Sequence, residues 1–586
     1  MTNPENRVAK VAVSTEGMVT INDPDGFTIG SVDGVVGVVT TGGGANFTTT
    51  AVTVNAPIDI QAGTVAFRGA AVTWGASNLL NDEAGLFIDR GSLSLGSNSE
   101  TVDRFAMPDG TVTATGGGVL TVTDLIKVGA GSITAPLAGE ALMLKGGNGL
   151  FTLTGNHTLT GLIRLMGGQT RFSGSIGADI EVGAGARFDA AGTIGGDLTG
   201  AGTIGIGNSW SGNGIGTLTV NGDFRPAGLV EFQINPPSIT PAVHHDQMVV
   251  GGELDLHAAT FSFTGGSGSV ALLQMLTLID HTSTSATVLP VSPANGGGIE
   301  IGDNHYRVFY TGGDGNDVVL VEGITPTVVY VDDSFVGGLG TRVTDADLGS
   351  SGNQFAIMGV TGFRSVAQAI AAVTTDGTII VNSGVYTETA LLDESRTMRI
   401  GGPDAAQQAT ITGLATLDGT QLTLAGSSTL TIGDATDRTF AGPINGAGSL
   451  VKQGAGVVTM PRTTPNSFSG GTTIRGGVLS LGSGGSTASS SVGALGAGPI
   501  TVSDGGQLRL WISDSGSYTL PNNVTLSGGA VHVERGNYTL SGPVTLATAG
   551  QSGTLSSSWA GSDLTVSGKI SGPGSLAVRA LSGANG

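Results

Sequence analysis

Three stretches of this 586-residue chain hold residues whose types and spacing could do chemistry. The first is Gly312-Gly313-Asp314-Gly315-Asn316-Asp317-Val318-Val319-Leu320. It follows the nonapeptide pattern GGxGxDxUx, in which aspartate carboxylates and turn carbonyls offer oxygen ligands to a hard cation. Asp314 and Asp317 are therefore candidate calcium ligands. Such sites are built from tandem copies and this chain holds one, so the competing reading is a Gly-Asp turn that closes a hairpin. The second stretch, His244-His245-Asp246, has the residue types of a metal site. Neighbours on a strand point to opposite faces, so the pair does not converge, and a solvated loop is expected. The third comprises the acidic pairs Asp332-Asp333 and Asp345-Ala346-Asp347. Carboxylate catalysis needs two positioned groups, or calcium with a base. No basic residue clusters with these pairs on repeated strands, so they too read as solvated acidic loops. No catalytic residue and no cofactor is assigned.

Composition limits the elements that could position such groups. Glycine contributes 102 residues, more than twice its usual share of ~7%. It has no three-residue period, which excludes collagen. Hydrophobic residues make up 39% and charged residues 12%. The chain should therefore be folded, rich in turns and poor in helix. There are no cysteines, which removes disulfides, thiolate zinc sites and thiol catalysis. With 24 basic and 45 acidic residues the net charge is −21, an unsuitable surface for nucleic acid. No run of eighteen apolar residues offers a membrane-spanning helix. Met1 to Arg7 lacks the apolar core of a signal peptide, so export signals are expected outside this sequence.

Short apolar-x-apolar cores recur at Val52-Thr53-Val54, Ile58-Asp59-Ile60, Val65-Ala66-Phe67 and Val72-Thr73-Trp74. Leu86-Phe87-Ile88 and Leu93-Ser94-Leu95 continue the series. Three such strands per turn give a coil of roughly 20 residues, within the periods of solenoids. Triplets such as Thr111-Val112-Thr113 and Thr121-Val122-Thr123 could form outward threonine ladders, but they lack a strict period. Asn156-His157-Thr158 has the form of a glycosylation acceptor, which means little if the source is bacterial.

The clearest repeat runs from Ile444 to Gly482. It holds Gly446 to Gly456 with Lys452 at its centre, then Phe468-Ser469-Gly470-Gly471-Thr472-Thr473-Ile474, then Gly477-Val478-Leu479. Short apolar runs alternate with glycine pairs, and none is long enough for an ordinary helix. Such strands need a similar neighbour above and below, which is the logic of a repeat stack. Val457, Ile474, Leu479 and Leu481 are its expected inward positions. This stretch resembles the autotransporter-associated β-strand repeat of large secreted bacterial surface proteins. Met460-Pro461-Arg462 and Phe468 depart slightly from that pattern. Lys145-Gly146-Gly147-Asn148-Gly149-Leu150-Phe151-Thr152-Leu153 matches Lys452 to Met460 in register and leads to Gly167-Gly168, a degenerate copy. A third copy starts at Ile570-Ser571-Gly572-Pro573-Gly574-Ser575-Leu576 and stops at Leu581-Ser582-Gly583-Ala584-Asn585-Gly586. From this half-copy the chain is expected to be a piece of a longer protein, with a frayed final coil.

The stretch from Gly200 through Asn208-Ser209 to Phe224 resembles the segment that ends many autotransporter passenger helices. Longer strands follow, including Leu272-Leu273-Gln274-Met275-Leu276. Gly323-Ile324-Thr325-Pro326-Thr327 is the expected domain boundary. Beyond it, Ser365-Val366-Ala367-Gln368-Ala369-Ile370-Ala371-Ala372-Val373 reads as a helix capped by Ser365. It feeds Thr378-Ile379-Ile380-Val381, a pattern similar to the opening turn of pectin-lyase-like β-helices. The resemblances imply an all-β chain, a right-handed parallel β-helix (solenoid) in two units with one short capping helix. The expected segments are 1–225, a first solenoid; 226–323, a terminating β section; 324–390, linker, cap and first coil; and 391–586, a second solenoid. The implied function is a non-enzymatic, secreted or surface-displayed, adhesin-like stalk. Its expected partner is a host or neighbouring-cell surface or a polysaccharide. The alternative is a polysaccharide lyase or hydrolase on the second unit.

Overall fold

The computed structural model describes residues 8–580 except 62, 208–213, 236–239, 241–242, 266–273, 303, 324, 462–465, 483–494 and 513–516. Asn208-Ser209, Leu272-Leu273, Ile324, Arg462 and Leu581–Gly586 therefore lie outside the described residues. The chain divides into two units, Met1–Glu322 and Gly323–Gly586. Both are stacks of parallel β-coils, a β-solenoid.

In the first unit, short strands pair in parallel with strands about one coil away in sequence. Val65 faces Ala45 on one side and Leu86 on the other, and Ala71 faces Ala51, so a turn takes about 20 residues. Val52, Val54, Ile58, Ile60, Val65, Phe67, Val72 and Trp74 are all buried, as the apolar-x-apolar cores require. Because strand side chains alternate, one in two faces inward, and successive coils align them into columns. Phe47 and Phe67 occupy one column with ring centroids 5.2 Å apart. Parallel stacking continues past residue 226: Leu229–Ile234 pairs with Thr260–Gly265, and Met248 faces Ile279. Antiparallel pairing then begins. The hairpin Asn304–Gly312 and Asp317–Glu322 lies against Met275–His281 and covers that strand edge.

The second unit is built the same way. One inward column runs Val329, Ile379, Met398, Leu422, Ile444. Another runs Val458, Leu479, Leu508, Val531, Leu555. The helix Val366–Ala372 is the single α-helix among the described residues. It buries Val366, Ala369 and Ile370. Ser365 Oγ accepts from the Gln368 N–H, the expected N-cap. Glu388, on a neighbouring strand, accepts from a second N–H of the first turn, that of Val366, at 2.6 Å. No helix among the described residues is long and apolar enough to cross a membrane.

The inward phase of the main repeat differs from the expectation at one residue. Ile474, Leu479 and Leu481 are buried, but Val458 and Met460 point inward in place of Val457. The apolar pair Val457-Val458 leaves the phase of the strand open, and pairing of Val458 with Leu479 decides it. Substituting Leu479 with Asp places an unpaired carboxylate in the middle of its column. The expected cost is on the order of 3–5 kcal/mol, read as a lowered urea midpoint for the second unit; a midpoint equal to the parent's contradicts the inward assignment.

Several polar side chains are buried where coils would leave backbone groups without partners. Glu100 accepts from Trp74 Nε1 at 2.6 Å and from the Leu79 and Leu80 N–H groups. His157 Nδ1 accepts from the Leu137 N–H at 3.1 Å. Burial pushes that imidazole down to about 4 from the ordinary 6.5. The unfolded chain then binds the extra proton between those values, so the contribution of His157 is full above pH 6.5 and is lost as the pH falls toward 4. Asp246 and Asp317, raised by burial to about 7 and about 6, act in the opposite sense. A His157→Asn variant keeps an acceptor and removes the titration. Relative to the parent it should lose less stability on acidification, by about 3 kcal/mol at pH 4, as measured by denaturant midpoints at matched pH values.

Candidate functional site

The two repeat lysines end strands at inward positions. Lys145 sits between Val128 and Leu165, and Lys452 between Ile432 and Ile474, in otherwise aliphatic columns. Both are fully buried. Their stems pack with the column while the ammonium reaches the turn that follows the strand. Lys145 Nζ donates to the carbonyls of Gly147 at 3.2 Å, Gly149 at 2.8 Å and Gly167 at 2.7 Å. Lys452 Nζ donates to those of Gln453 at 2.8 Å, Gly454 at 2.9 Å and Gly476 at 3.0 Å. Each lysine thus uses its three N–H donors on two turn carbonyls of its own coil and one of the next. The glycine pairs Gly167-Gly168 and Gly476-Gly477 come one coil later because they supply that third carbonyl. A Cβ at Gly168, which has φ +66°, would collide with the Lys145 ammonium. Burial lowers both ammonium groups, Lys452 to about 8 against the pull of Asp434 and Asp437. At neutral pH Lys452 is still mostly charged and keeps its three donors.

A second set of cross-coil ties was not foreseen. Asp179 Oδ1 accepts from the Asp197 N–H at 2.8 Å, Asp197 Oδ1 from the Asp223 N–H at 2.8 Å, and Asp223 Oδ1 from the Glu253 N–H at 2.7 Å. The signal in the sequence is Gly-Asp or Gly-Glu before an apolar residue, at Gly196-Asp197-Leu198, Gly222-Asp223-Phe224 and Gly252-Glu253-Leu254. Glycine is needed there because a Cβ would run into the carboxylate of the coil below.

The chemistry-bearing stretches take structural places. Gly312 to Asp317 forms the turn of an antiparallel hairpin. Asp317 is buried, and its Oδ1 accepts from the His281 N–H at 2.9 Å. Among the described residues no group of three His, Cys, Asp or Glu is placed to hold a metal ion. The solvated loop expected for His244-His245-Asp246 is not found. His245 and Asp246 are buried. Asp246 accepts from the Gly216 N–H at 3.0 Å and the Gln233 N–H at 2.7 Å. His245 Nε2 lies 3.2 Å from the Thr277 carbonyl.

One residue of each acidic pair in the second unit departs from the expected solvated loop, while Asp333 is exposed as expected. Asp332 and Asp347 are buried, and Asn382 joins their segments through Asp332 Oδ2 and the Ala346 carbonyl. Asp347 pairs with Arg399, and Asp332 Oδ1 accepts from Ser334. Asp333 accepts from the Val385 N–H at 2.8 Å. These carboxylates hold the irregular loop between Val331 and Gly362 onto the first coils. The threonine triplets form no continuous ladder: Thr111 faces Ser92 and Ser132, and Thr121 faces Thr101 and Ala138. Asn156 accepts from Ser175 Oγ on the next coil.

The cage around Lys452 lies within a family match. Residues 450–481 match the model of the passenger-associated-transport-repeat. The chain carries an autotransporter passenger-type repeat. The match spans the lysine, the glycine that supplies its third carbonyl, and the inward residues Ile474, Leu479 and Leu481. No curated protein matches the chain. Passenger-type repeats imply a secreted or surface-exposed protein with a structural part to play. In this repeat the lysine is the tie between successive coils. Replacing Lys452 with Met keeps the stem and removes the donors from three turn carbonyls. The expected loss is ~2–4 kcal/mol, with faster amide exchange at Gly454 and Gly476; unchanged exchange and an unchanged midpoint would show that the carbonyls do not depend on the ammonium.

Proposed function

We propose that this chain is a non-enzymatic, adhesin-like stalk region of an autotransporter passenger, displayed at the cell surface. The passenger-type repeat with its lysine cage carries the reading. Parallel coils satisfy one another's backbone groups and bury continuous aliphatic columns, so the stack keeps its form without disulfides, and none can form in a chain without cysteine. A chain free of disulfides also suits export in an unfolded state. The carboxylates that would serve a lyase or hydrolase, Asp332, Asp333 and Asp347, are committed to backbone N–H groups, Ser334, Asn382 and Arg399. That favours the structural role over the enzymatic one.

Antibodies raised against the purified chain should label intact cells of the source organism, and brief protease treatment of those cells should remove the label. Labelling only after the cells are permeabilised would overturn the surface reading. Release of uronic or neutral oligosaccharides from polysaccharide by the purified chain would overturn the non-enzymatic one.

A further inference from the structure

Glycine follows asparagine six times in the sequence, after Asn148, Asn213, Asn221, Asn295, Asn445 and Asn585. In such a pair the glycine nitrogen can attack the asparagine side-chain amide, because glycine has no side chain to obstruct the approach. Asn213 and Asn585 lie outside the described residues. The fold treats the other four differently. Asn295 Oδ1 accepts from the Tyr310 N–H at 3.0 Å, and the Gly296 N–H donates to the Val308 carbonyl at 2.7 Å. Asn445 Oδ1 accepts from Ser467 Oγ at 2.7 Å, and the pair lies within the strand Ile444–Gly446, which is held in the ladder against Leu422 and Leu424. The Gly222 N–H, after Asn221, donates to the Gly196 carbonyl at 3.2 Å. Asn148 is exposed in the turn between the strands Leu142–Lys145 and Leu150–Leu159. Among the described residues neither its side chain nor the Gly149 N–H has a hydrogen-bond partner. The Lys145 ammonium holds the carbonyls on either side, those of Gly147 and Gly149.

We propose that Asn148 is a self-modification site, where the chain converts asparagine to isoaspartate through a cyclic imide with Gly149. The Gly149 N–H gives its proton to hydroxide, and the nitrogen bonds to Asn148 Cγ. The side-chain amide nitrogen leaves as ammonia. Water then opens the five-membered imide at one of its two carbonyls. Opening at the backbone carbonyl routes the chain through Cγ and gives isoaspartate; opening at Cγ gives aspartate. Water is the only co-reactant, and either product carries a carboxylate where a neutral amide stood. The ammonium beside the turn stabilises the negative charge that the Gly149 nitrogen develops. Isoaspartate adds one methylene to the backbone between the Gly147 and Gly149 carbonyls, two of the three that Lys145 gathers, and sets an anion beside the cation. Ala455 stands at the matching place after Lys452, so the cage of the main repeat is not open to this change. The inference rests on this turn alone and does not depend on where the chain is displayed.

The test is peptide mapping by mass spectrometry of the full purified chain, folded and aged at mildly alkaline pH, with digestion at acidic pH to prevent conversion during handling. The peptide that contains Asn148 should acquire the mass of a carboxyl in place of the amide, with isoaspartate the larger product. Its conversion should outpace that at Asn221, Asn295 and Asn445 by about tenfold or more, because those sites react only from locally opened states. In guanidinium, where no site is protected, the four should convert at similar rates. Asn148→Gln, which would need a six-membered ring, should show little conversion and an unchanged melting temperature. An Asn148 that stays intact in the folded chain over the time in which the unfolded chain converts would overturn the proposal. So would equal rates at the four sites in the folded chain, or aspartate formed without isoaspartate.

Discussion

The parallel hydrogen bond between one coil and the next is the interaction on which everything else depends. A strand of three to five residues satisfies none of its own backbone groups and buries almost nothing alone. Stacking meets both needs together, since the same register that pairs Val458 with Leu479 and Leu508 also aligns them in one apolar column. Strand edges are the weak point of such a stack. In the first unit the antiparallel hairpin Asn304–Gly312 and Asp317–Glu322 occupies one edge. In the second, the helix Val366–Ala372 packs on the opening coils, with its N-terminus held by Ser365 and Glu388.

Turns are where that interaction fails, because the chain changes direction and backbone groups lose their strand partners. Many of the polar side chains that tie one coil to the next act at such places. Lys145 and Lys452 gather turn carbonyls, while Glu100, Asp179, Asp197, Asp223 and Asp246 gather turn N–H groups. Cations serve acceptors and carboxylates serve donors, which is the assignment that hydrogen bonding demands. Much of the chemistry-bearing content of the sequence is used in this way.

Much of this architecture could be read without coordinates. Alternation of apolar residues at steps of six and seven specifies short strands, and glycine between them specifies turns, so the repeat stack and the helix at Ser365 both follow from local pattern. The lysine and glycine-pair spacing was legible as a repeat, though not as a contact, since Lys452 and Gly476 lie a full coil apart. The Gly-Asp steps before strands were legible too and carried no meaning until successive copies came to lie one above another.

Tertiary structure decided the rest, for reasons of burial and register. Val457 and Val458 are equivalent by type, and only the neighbouring coil selects the one that faces inward. Asp246, Asp332 and Asp347 are by composition loop residues bound for solvent. They are buried because backbone donors, Asn382 and Arg399 converge on them from segments dozens of residues away. The single nonapeptide containing Asp314 and Asp317 is locally the same whether it closes a parallel coil or an antiparallel hairpin, and the pairing of distant strands makes it a hairpin. Period and composition determined that the chain stacks; which polar groups the stack encloses depended on contacts one coil or more away, which no local pattern encodes.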